Sequence, residues 1–367
     1  MNLSGKQRRA LKQFQSLLAA AGMHELMPAH GPEEGRTDAP PPDLSLIAEP
    51  LHTIARLFVL GQSVESARLE SHLPSEVICT LEALGLVKRT GDMVTAGEYR
   101  LVSHLGLFLF CHMVSSRAKL YYGNDSLVLS RLLLPAQGRV LDLCAGVGAQ
   151  ALVCAQTAAS VTAVDVEPLA REVFGINAEL NGLSGRVEYL VGDLFEPIAG
   201  RQFDLICCNP PFMPVPPGIR FPVFADGGPD GLALVRRVLA GLPEVLAPGG
   251  RCHVVGAVLG NDQGPDLSSF EQLAADAHLA ITISCPSCEE LDSSMLVSCS
   301  GTAMACGGAA DAKEVFRAHF ERLGATRLYY LLLSATHASQ PSVYFVHDDV
   351  QRVSIGPVVR SVETGGA

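Results

Sequence analysis

The chain contains no tryptophan, its aromatic content is 6%, and charged residues make up only 18% of its 367 positions. Positive charge is the scarcer sign: 27 Lys and Arg stand against 38 Asp and Glu, a net charge of −11. Basic surface supplies most of the affinity in sequence-blind binding to phosphate backbones, so this balance disfavours nucleic acid as a partner. No apolar run approaches the roughly 18 to 20 residues that span a bilayer, which excludes a membrane helix. Lys6, Arg8, Arg9 and Lys12 open the chain, but Gln13 and Gln15 interrupt the stretch a signal peptide would need apolar. Leu17–Ala21 is too short for that core, and an amphipathic helix is the better reading. His104, His112, His253, His337 and His347 form no ligand-spaced pair and read as structural, so no metal is expected from them. Internal repeats and low-complexity tracts are absent, although 35 Gly and 23 Pro supply ample turns.

Cysteine is plentiful. Eleven is an odd number, with Cys207 and Cys208 adjacent, and in a chain this long that fits reduced cytoplasmic thiols better than a disulfide framework. Apolar residues reach 48%, enough for two or three domain cores.

Composition divides the chain into four parts. Residues 1–45 hold the first helix and a Pro-rich linker, with Pro32, Pro40, Pro41 and Pro42 among Gly, Glu and Asp in 31–43. In 46–115 the apolar spacing gives short helices from Leu51, over Val64–Leu73 and over Pro74–Leu84. Gly85 stops the last of these, and Leu86–Val94 reads as a hairpin with a Gly-Asp turn. Three helices and a hairpin resemble a winged helix, but Glu76–Leu81, the would-be recognition helix, carries no Lys or Arg. A substrate-docking or dimerising module therefore fits better than a DNA reader. From 116 to 352, apolar strands at Val140–Leu143, Ser160–Val164, Val187–Val191, Phe203–Cys208 and Gly250–Val258 alternate with helical stretches. That is an α/β series, hence a mostly parallel sheet with helices on both faces. Leu279–Ser284 and Ser342–His347 read as closing strands around a helix near Lys313–Gly324, and Leu328–Leu333 as a buried strand. Residues 285–312, rich in Cys, Ser, Gly and Ala, read as an inserted loop, and 353–367 as a tail.

The chemistry gathers at strand ends. Val140-Leu-Asp142-Leu-Cys144-Ala145-Gly146-Val-Gly148 is a strand running into a glycine turn that opens a helix. Such a turn brings backbone close to a ligand and presents free amides. The next strand ends in Asp165-Val166-Glu167, where a carboxylate can hold ribose hydroxyls. The glycine spacing also satisfies the dinucleotide fingerprint, so by itself it leaves an NAD-type cofactor open. The third strand ends in Gly192-Asp193-Leu194 and the fourth in Asn209-Pro210-Pro211-Phe212. Ligands of open parallel sheets lie beyond the carboxyl ends of the strands, so these residues share one crevice.

This set resembles the class I S-adenosylmethionine-dependent methyltransferases that carry an Asn-Pro-Pro-Tyr/Phe motif and methylate nitrogen. The branch in question holds the release-factor glutamine and the rRNA and tRNA N-methyltransferases. The resemblance runs from Tyr121 to Val258 and includes three further segments. Tyr121-Tyr122-Gly-Asn-Asp125-Ser126 is similar to the family's Pro-x-Glu-Asp-Ser without its Pro and Glu; Asn177 and Asn181 follow the second strand; Asp226-Gly-Gly-Pro-Asp230-Gly231 matches Asp-Gly-Gly-x-x-Gly. Cys144 replaces the first glycine of the family's turn, a small residue that asks for only slight adjustment. The resemblance implies a Rossmann-like fold with S-adenosyl-L-methionine as cofactor. Tyr122, Asp125, Ser126, Asp142, Cys144, Ala145, Gly146, Gly148, Asp165, Val166, Gly192, Asp193, Leu194 and Asn209 would hold it. Within that set, Asp142 and the backbone at Gly146 would take the methionine part, Asp165 the ribose and Asp193 the adenine amino group. Asn209, Pro210, Pro211 and Phe212 would bind the acceptor.

The motif also makes physical sense. An amide nitrogen is a poor nucleophile because its lone pair is delocalised. The Asn209 side-chain oxygen and the Pro210 carbonyl can both accept from its N–H groups, holding it toward the methyl carbon, while Phe212 offers a stacking face. Two prolines stiffen the corner, and Met213–Phe224 would shape the pocket. A protein glutamine suits the acidic chain, and an RNA base suits it less. A small amine, amide or guanidine metabolite drawn in by Asp226, Asp230 and Glu33–Glu34 remains an alternative, as does a non-catalytic, cofactor-sensing DNA regulator. A homodimer is compatible with the module. Cys285, Cys288, Cys299 and Cys306 offer four thiols for zinc, but Cys-x6-Cys lacks the usual knuckle spacing and unliganded thiols are expected.

Overall fold

A computed structural model describes residues 3–25, 44, 46–113, 118–308 and 311–346. The expected linker 31–43 and tail 353–367 lie outside the described residues. The first helix, Gly5–Ala20, opens on a reciprocal cap. Ser4 Oγ accepts from Gln7 N, and the Gln7 side chain accepts from Ser4 N. Ala10, Leu11, Phe14 and Leu18 form its buried stripe, which leaves the basic residues outside. Helices Leu51–Phe58, Ser66–Glu70 and Ser75–Ala83 follow, with three short strands: β1 (Val64–Glu65), β2 (Lys88–Thr90) and β3 (Met93–Thr95). They pair antiparallel in the order β1-β3-β2, and the Gly91-Asp92 turn is where the sequence puts it.

Two local readings change here. The helix expected over Val64–Leu73 begins only at Ser66, because the buried Val64 pairs with Val94 and extends the small sheet. A second hairpin, β4 (Tyr99–His104) and β5 (Leu107–His112), turns through Leu105 and Gly106, both at positive φ. Every residue of β5 is buried, so the strand shows none of the alternation that marks a half-exposed one. Phe110 meets Phe14 and Phe58 ring to ring at 6.4 and 5.7 Å, joining the hairpin to the first two helices.

The large sheet comprises β6 (Arg139–Leu143), β7 (Ser160–Asp165), β8 (Val187–Val191), β9 (Phe203–Cys208), β10 (Leu246–Asn261), β11 (Gly264–Pro265), β12 (Leu279–Glu290), β13 (Arg327–His337) and β14 (Ser342–Val346). Its order is β14-β12-β13-β10-β9-β6-β7-β8, with β11 hairpinned onto β10. The run β8-β7-β6-β9-β10 is parallel, and β13 lies antiparallel between β10 and β12. This is a Rossmann-like α/β sheet. After β6 the chain winds to β7 and β8 on one side, then crosses to β9 on the other, so the switch point lies between the ends of β6 and β9.

Alternate residues serve opposite faces. Val140, Leu205 and Cys207 join the N-terminal helices in one core, whereas Leu141, Leu143, Ile206 and Cys208 pack under helix Ala233–Val245 in another. The loop expected over 285–312 is corrected: β12 runs to Glu290, and Asp292 caps a helix at Ser293–Ala305 by accepting from the Ser294 and Met295 amides. Leu296, Cys299, Ser300 and Ala303 make a buried helical stripe of small residues, a composition that imitates a loop. This helix and helix Ala312–Arg322 form a third core with Val215, Ala257 and Leu328, above the sheet end that carries Phe212. Among the described residues no helix is long and apolar enough to cross a membrane.

Candidate functional site

The turn after β6 carries three residues at positive φ: Cys144 (56°), Gly146 (50°) and Gly148 (89°). Cys144 thus keeps the left-handed conformation of the glycine it replaces, with Sγ 3.9 Å from Cys208 Sγ. The two glycines serve different ends. A Cβ at Gly146 would meet nothing within 4 Å, so its surroundings are open to a ligand. A Cβ at Gly148 would stand 2.3 Å from the Phe174 ring, so that glycine is demanded by packing.

Asp165, at the end of β7, braces the turn. One carboxylate oxygen accepts from Gly146 N and the other from Glu167 N, both at 2.8 Å, and burial raises its pKa. Tyr189 donates to the Gly146 carbonyl at 3.0 Å and packs on Phe174, 4.6 Å between rings. Asp142 lies behind the turn with no exposed surface; it accepts from Ala151 N and from the Cys207 thiol, and burial pushes its pKa up to about 7. Its direct work is to tie the turn to helix Ala149–Cys154, and any hold on a ligand passes through backbone. Val166 is exposed on the rim, Leu194 adopts φ 48°, and Gly192 makes room for Pro197. The Asp193 carboxylate accepts from Arg237 at 2.9 Å.

Across the switch point, Asn209 Nδ2 donates to Ser126 Oγ at 3.1 Å and Asn209 also bonds the Asp125 carboxylate. Ser126 is itself fixed, its carbonyl accepting from Gln150 at 3.0 Å. Tyr121 donates to Asp125 at 3.1 Å and stacks on Phe224 with 5.4 Å between ring centroids. Pro210 is buried, while Pro211 and Phe212 are partly exposed. The Asp-Gly-Gly-x-x-Gly segment is the seat of this corner: Cβ atoms at Gly227 and Gly231 would stand 2.6 and 2.5 Å from the Phe212 backbone. Phe212 meets Tyr330 of β13 edge-on at 6.2 Å. Asp230, one of the four acidic residues expected to attract a cation, is held by Arg236 and carries no spare charge; Glu33 and Glu34 lie outside the described residues.

Tyr122 departs from the expected cofactor contact. Its ring is buried toward the hairpin, its hydroxyl 2.9 Å from His104 Nδ1 and its carbonyl accepting from Arg100 at 2.7 Å. The N-terminal hairpin therefore positions the segment that holds Asn209. Asn177 adds a second tie: its side chain pairs both backbone groups of Phe110 and donates to Val147 O in the glycine turn. Asn181 pairs Phe108 in the same manner.

His104 is fully buried between Tyr122 and Ser130, and burial drives its pKa down to about 4. In the unfolded chain it titrates near 6.5, so between those values the unfolded state binds more protons and stability falls as pH falls. We expect about 3 kcal/mol to be lost across this window, and His104→Gln to flatten that limb in urea melts taken between pH 6.5 and 4.

Burial raises the Cys207 and Cys208 thiols, which keeps them neutral beside the cleft. Among the described residues no three His, Cys, Asp or Glu side chains converge to hold a metal, and Cys285, Cys288, Cys299 and Cys306 form no such group. The cleft thus offers open backbone, strand-end carboxylates, an amide and aromatic faces. That donor set fits an adenosine-bearing ligand beside a planar hydrogen-bond donor, and it favours alignment over acid–base chemistry. Sequence reasoning missed Gln150, Arg100 and Tyr330 as parts of this site and gave Tyr121, which opens the family-like segment, no role of its own. Tyr122 stands beside Tyr121 with the opposite orientation, and Tyr330 arrives from a distant strand with no motif around it.

A family model described as a methyltransferase small domain matches residues 107–261, and one described as a domain of unknown function (DUF7059) matches 18–97. The chain is 42% identical over 141 residues to the ribosomal protein uL3 glutamine methyltransferase of Bradyrhizobium diazoefficiens, 35% of this chain and 44% of that protein. It is 40% identical over 126 residues to the release factor glutamine methyltransferase of Gloeobacter violaceus, covering 31% and 44% respectively. With the release factor glutamine methyltransferase of Geobacter sulfurreducens the identity is 39% over 225 residues, 53% of this chain and 78% of that protein. The chain spans about half the length of the curated relatives it matches first.

Proposed function

This chain belongs to the S-adenosylmethionine-dependent methyltransferases of the small-domain family, and we propose that it methylates the side-chain amide nitrogen of a glutamine in a protein acceptor. The observation that carries this reading is the position of Asn209. It directly follows β9 at the switch point, across from the open glycine turn, with Nδ2 donating to Ser126 Oγ and the side chain bonded to Asp125. Its oxygen is then the atom left for the acceptor. S-adenosylmethionine supplies an electrophilic methyl group on a sulfonium. In our reading the Gly146 backbone receives the methionine part, Asp165 the ribose, and Asp193 with Leu194 and Val166 the adenine. Asn209 Oδ1 and the Pro210 carbonyl accept from the two N–H groups of the substrate amide, and Phe212 packs on its plane. Holding an NH₂ group by two acceptors fixes its angle of approach and favours a localised lone pair. No strong base is needed, since the product nitrogen sheds its proton after transfer.

We read the N-terminal helices and the β2–β3 hairpin as a winged-helix-like docking module for the acceptor. Arg89 of the wing is tied to Glu70 and Glu82, and Lys6 to Glu76, so these two cations already face carboxylates, and with a net charge of −11 this favours a protein acceptor. Asp165→Ala should weaken S-adenosylmethionine binding by about 1–3 kcal/mol in calorimetry through lost charge-assisted hydrogen bonds. The function itself is tested with methyl-labelled S-adenosylmethionine and cell extract fractionated into protein, RNA and small molecules. The reading requires label on protein, recovered after digestion as N5-methylglutamine; label confined to RNA or metabolites would refute it.

A further inference from the structure

A carboxamide presents two N–H donors on one side and a carbonyl acceptor on the other, and half a turn about its terminal torsion exchanges them. If Asn209 is to hold an NH₂ group it must show oxygen to the cleft, because the reversed amide would set donors against donors. Ser126 cannot enforce this choice, since a hydroxyl donates as readily as it accepts. Asp125 can: burial raises its pKa, but the hydrogen bonds it accepts from the Asn209 side chain, the Tyr121 hydroxyl and backbone amides favour the carboxylate, which only accepts. It bonds the Asn209 side chain and also accepts from the Tyr121 hydroxyl at 3.1 Å. Tyr121 in turn lies nearly parallel to Phe224, with 9° between ring planes. Phe224 belongs to the segment that returns over the acceptor corner, where Met213 N donates to the Ala225 carbonyl and Gly227 N donates to the Met213 carbonyl.

We propose that Asp125 and Tyr121 are positioning residues: together they lock the Asn209 carboxamide with its oxygen toward the acceptor, and the Tyr121–Phe224 stack fastens that lock to the loop over the cleft. Asp125 and Ser126 then act on Asn209 and not on the cofactor, which the resemblance had implied. The proposal rests on the reading of Asn209 as the group that holds the acceptor nitrogen, but its spectroscopic test does not need an acceptor.

The whole chain would be prepared with 15N on asparagine side chains, and the Asn209 NH₂ pair assigned by its loss in Asn209→Asp. In the parent protein the pair should be shifted from the free-amide region and slow to exchange with solvent. In Asp125→Asn, whose side chain can both donate and accept, it should move toward the free-amide region and exchange at least about tenfold faster. Tyr121→Phe keeps the ring on Phe224 and removes only the hydroxyl, so it should fold normally and give an intermediate shift. With the protein fraction labelled in the assay above as acceptor, kcat should fall by about 10- to 100-fold in Asp125→Asn, with S-adenosylmethionine affinity held within about threefold. Asn209 signals unchanged in both variants, or a loss confined to cofactor affinity, would overturn the proposal. Shifted amide signals with no glutamine methylation in the parent protein would leave the lock standing and remove the function it was proposed to serve.

Discussion

Replacing Asn209 with alanine is expected to lower methyl transfer by about a thousandfold or more while S-adenosylmethionine binding changes by no more than about threefold. The separation follows from where the residue stands. Asn209 meets Ser126 and Asp125 on one side, and in the function proposed above its oxygen takes the acceptor, whereas the glycine turn is braced by Asp165 and Tyr189. Alanine removes the acceptor of one substrate N–H and the angle it imposes; the neighbouring Pro210 carbonyl survives but cannot define an approach alone. Alignment of this kind is worth several kcal/mol, because a displacement of about 1 Å in a reacting group can cost a hundredfold in rate. Single-turnover kinetics beside equilibrium cofactor binding check the split. Full activity in Asn209→Ala would end the alignment mechanism.

The second large effect is structural. Gly148→Ala should destabilise the fold by about 2–4 kcal/mol, the sum of a left-handed backbone made costly by a Cβ and a ring driven from its place. The added carbon would stand 2.3 Å from Phe174 Cδ2 at a residue with φ 89°. Phe174 supports Tyr189, which holds the Gly146 carbonyl, so cofactor affinity should fall along with stability. Gly146→Ala makes the contrast: nothing lies within 4 Å of its Cβ, so the protein should fold with a loss near 1 kcal/mol, from its positive φ alone, yet bind the cofactor poorly. Urea melts and calorimetry on the pair separate a glycine kept for packing from one kept for a ligand. Equal stability losses would erase the distinction.

The strand ends were legible because each carries a local signature. Gly146 and Gly148, Asp165, Asp193 and Asn209–Phe212 announce turns at the ends of apolar runs, and parallel-sheet topology gathers such turns at one edge. What stayed hidden depends on contacts distant in sequence. The β4–β5 hairpin escaped because Leu107–His112 is buried on both faces and has no period to read. Helix Ser293–Ala305 escaped because close packing against Ala257 and Leu328 selects the small residues that loops also favour. The buried settings of Asp142 and Tyr122 stayed hidden for a related reason. A motif fixes where a residue falls in the chain, but the buried partners Cys207 and His104 decide which way its polar atoms turn. Asn177 and Asn181 were legible as family marks, whereas their work of pairing β5 backbone needed the hairpin in view.

In the proposed reaction a methyl donor and an acceptor nitrogen meet at the switch point between β6 and β9. A crystal structure of the protein with S-adenosylhomocysteine bound measures this most directly. The ligand's sulfur should lie in the cleft with its ribose on Asp165, leaving room for one methyl group between that sulfur and an amide nitrogen held by Asn209 Oδ1. A sulfur pointing away from Asn209, or a ligand seated elsewhere on the sheet, would contradict it.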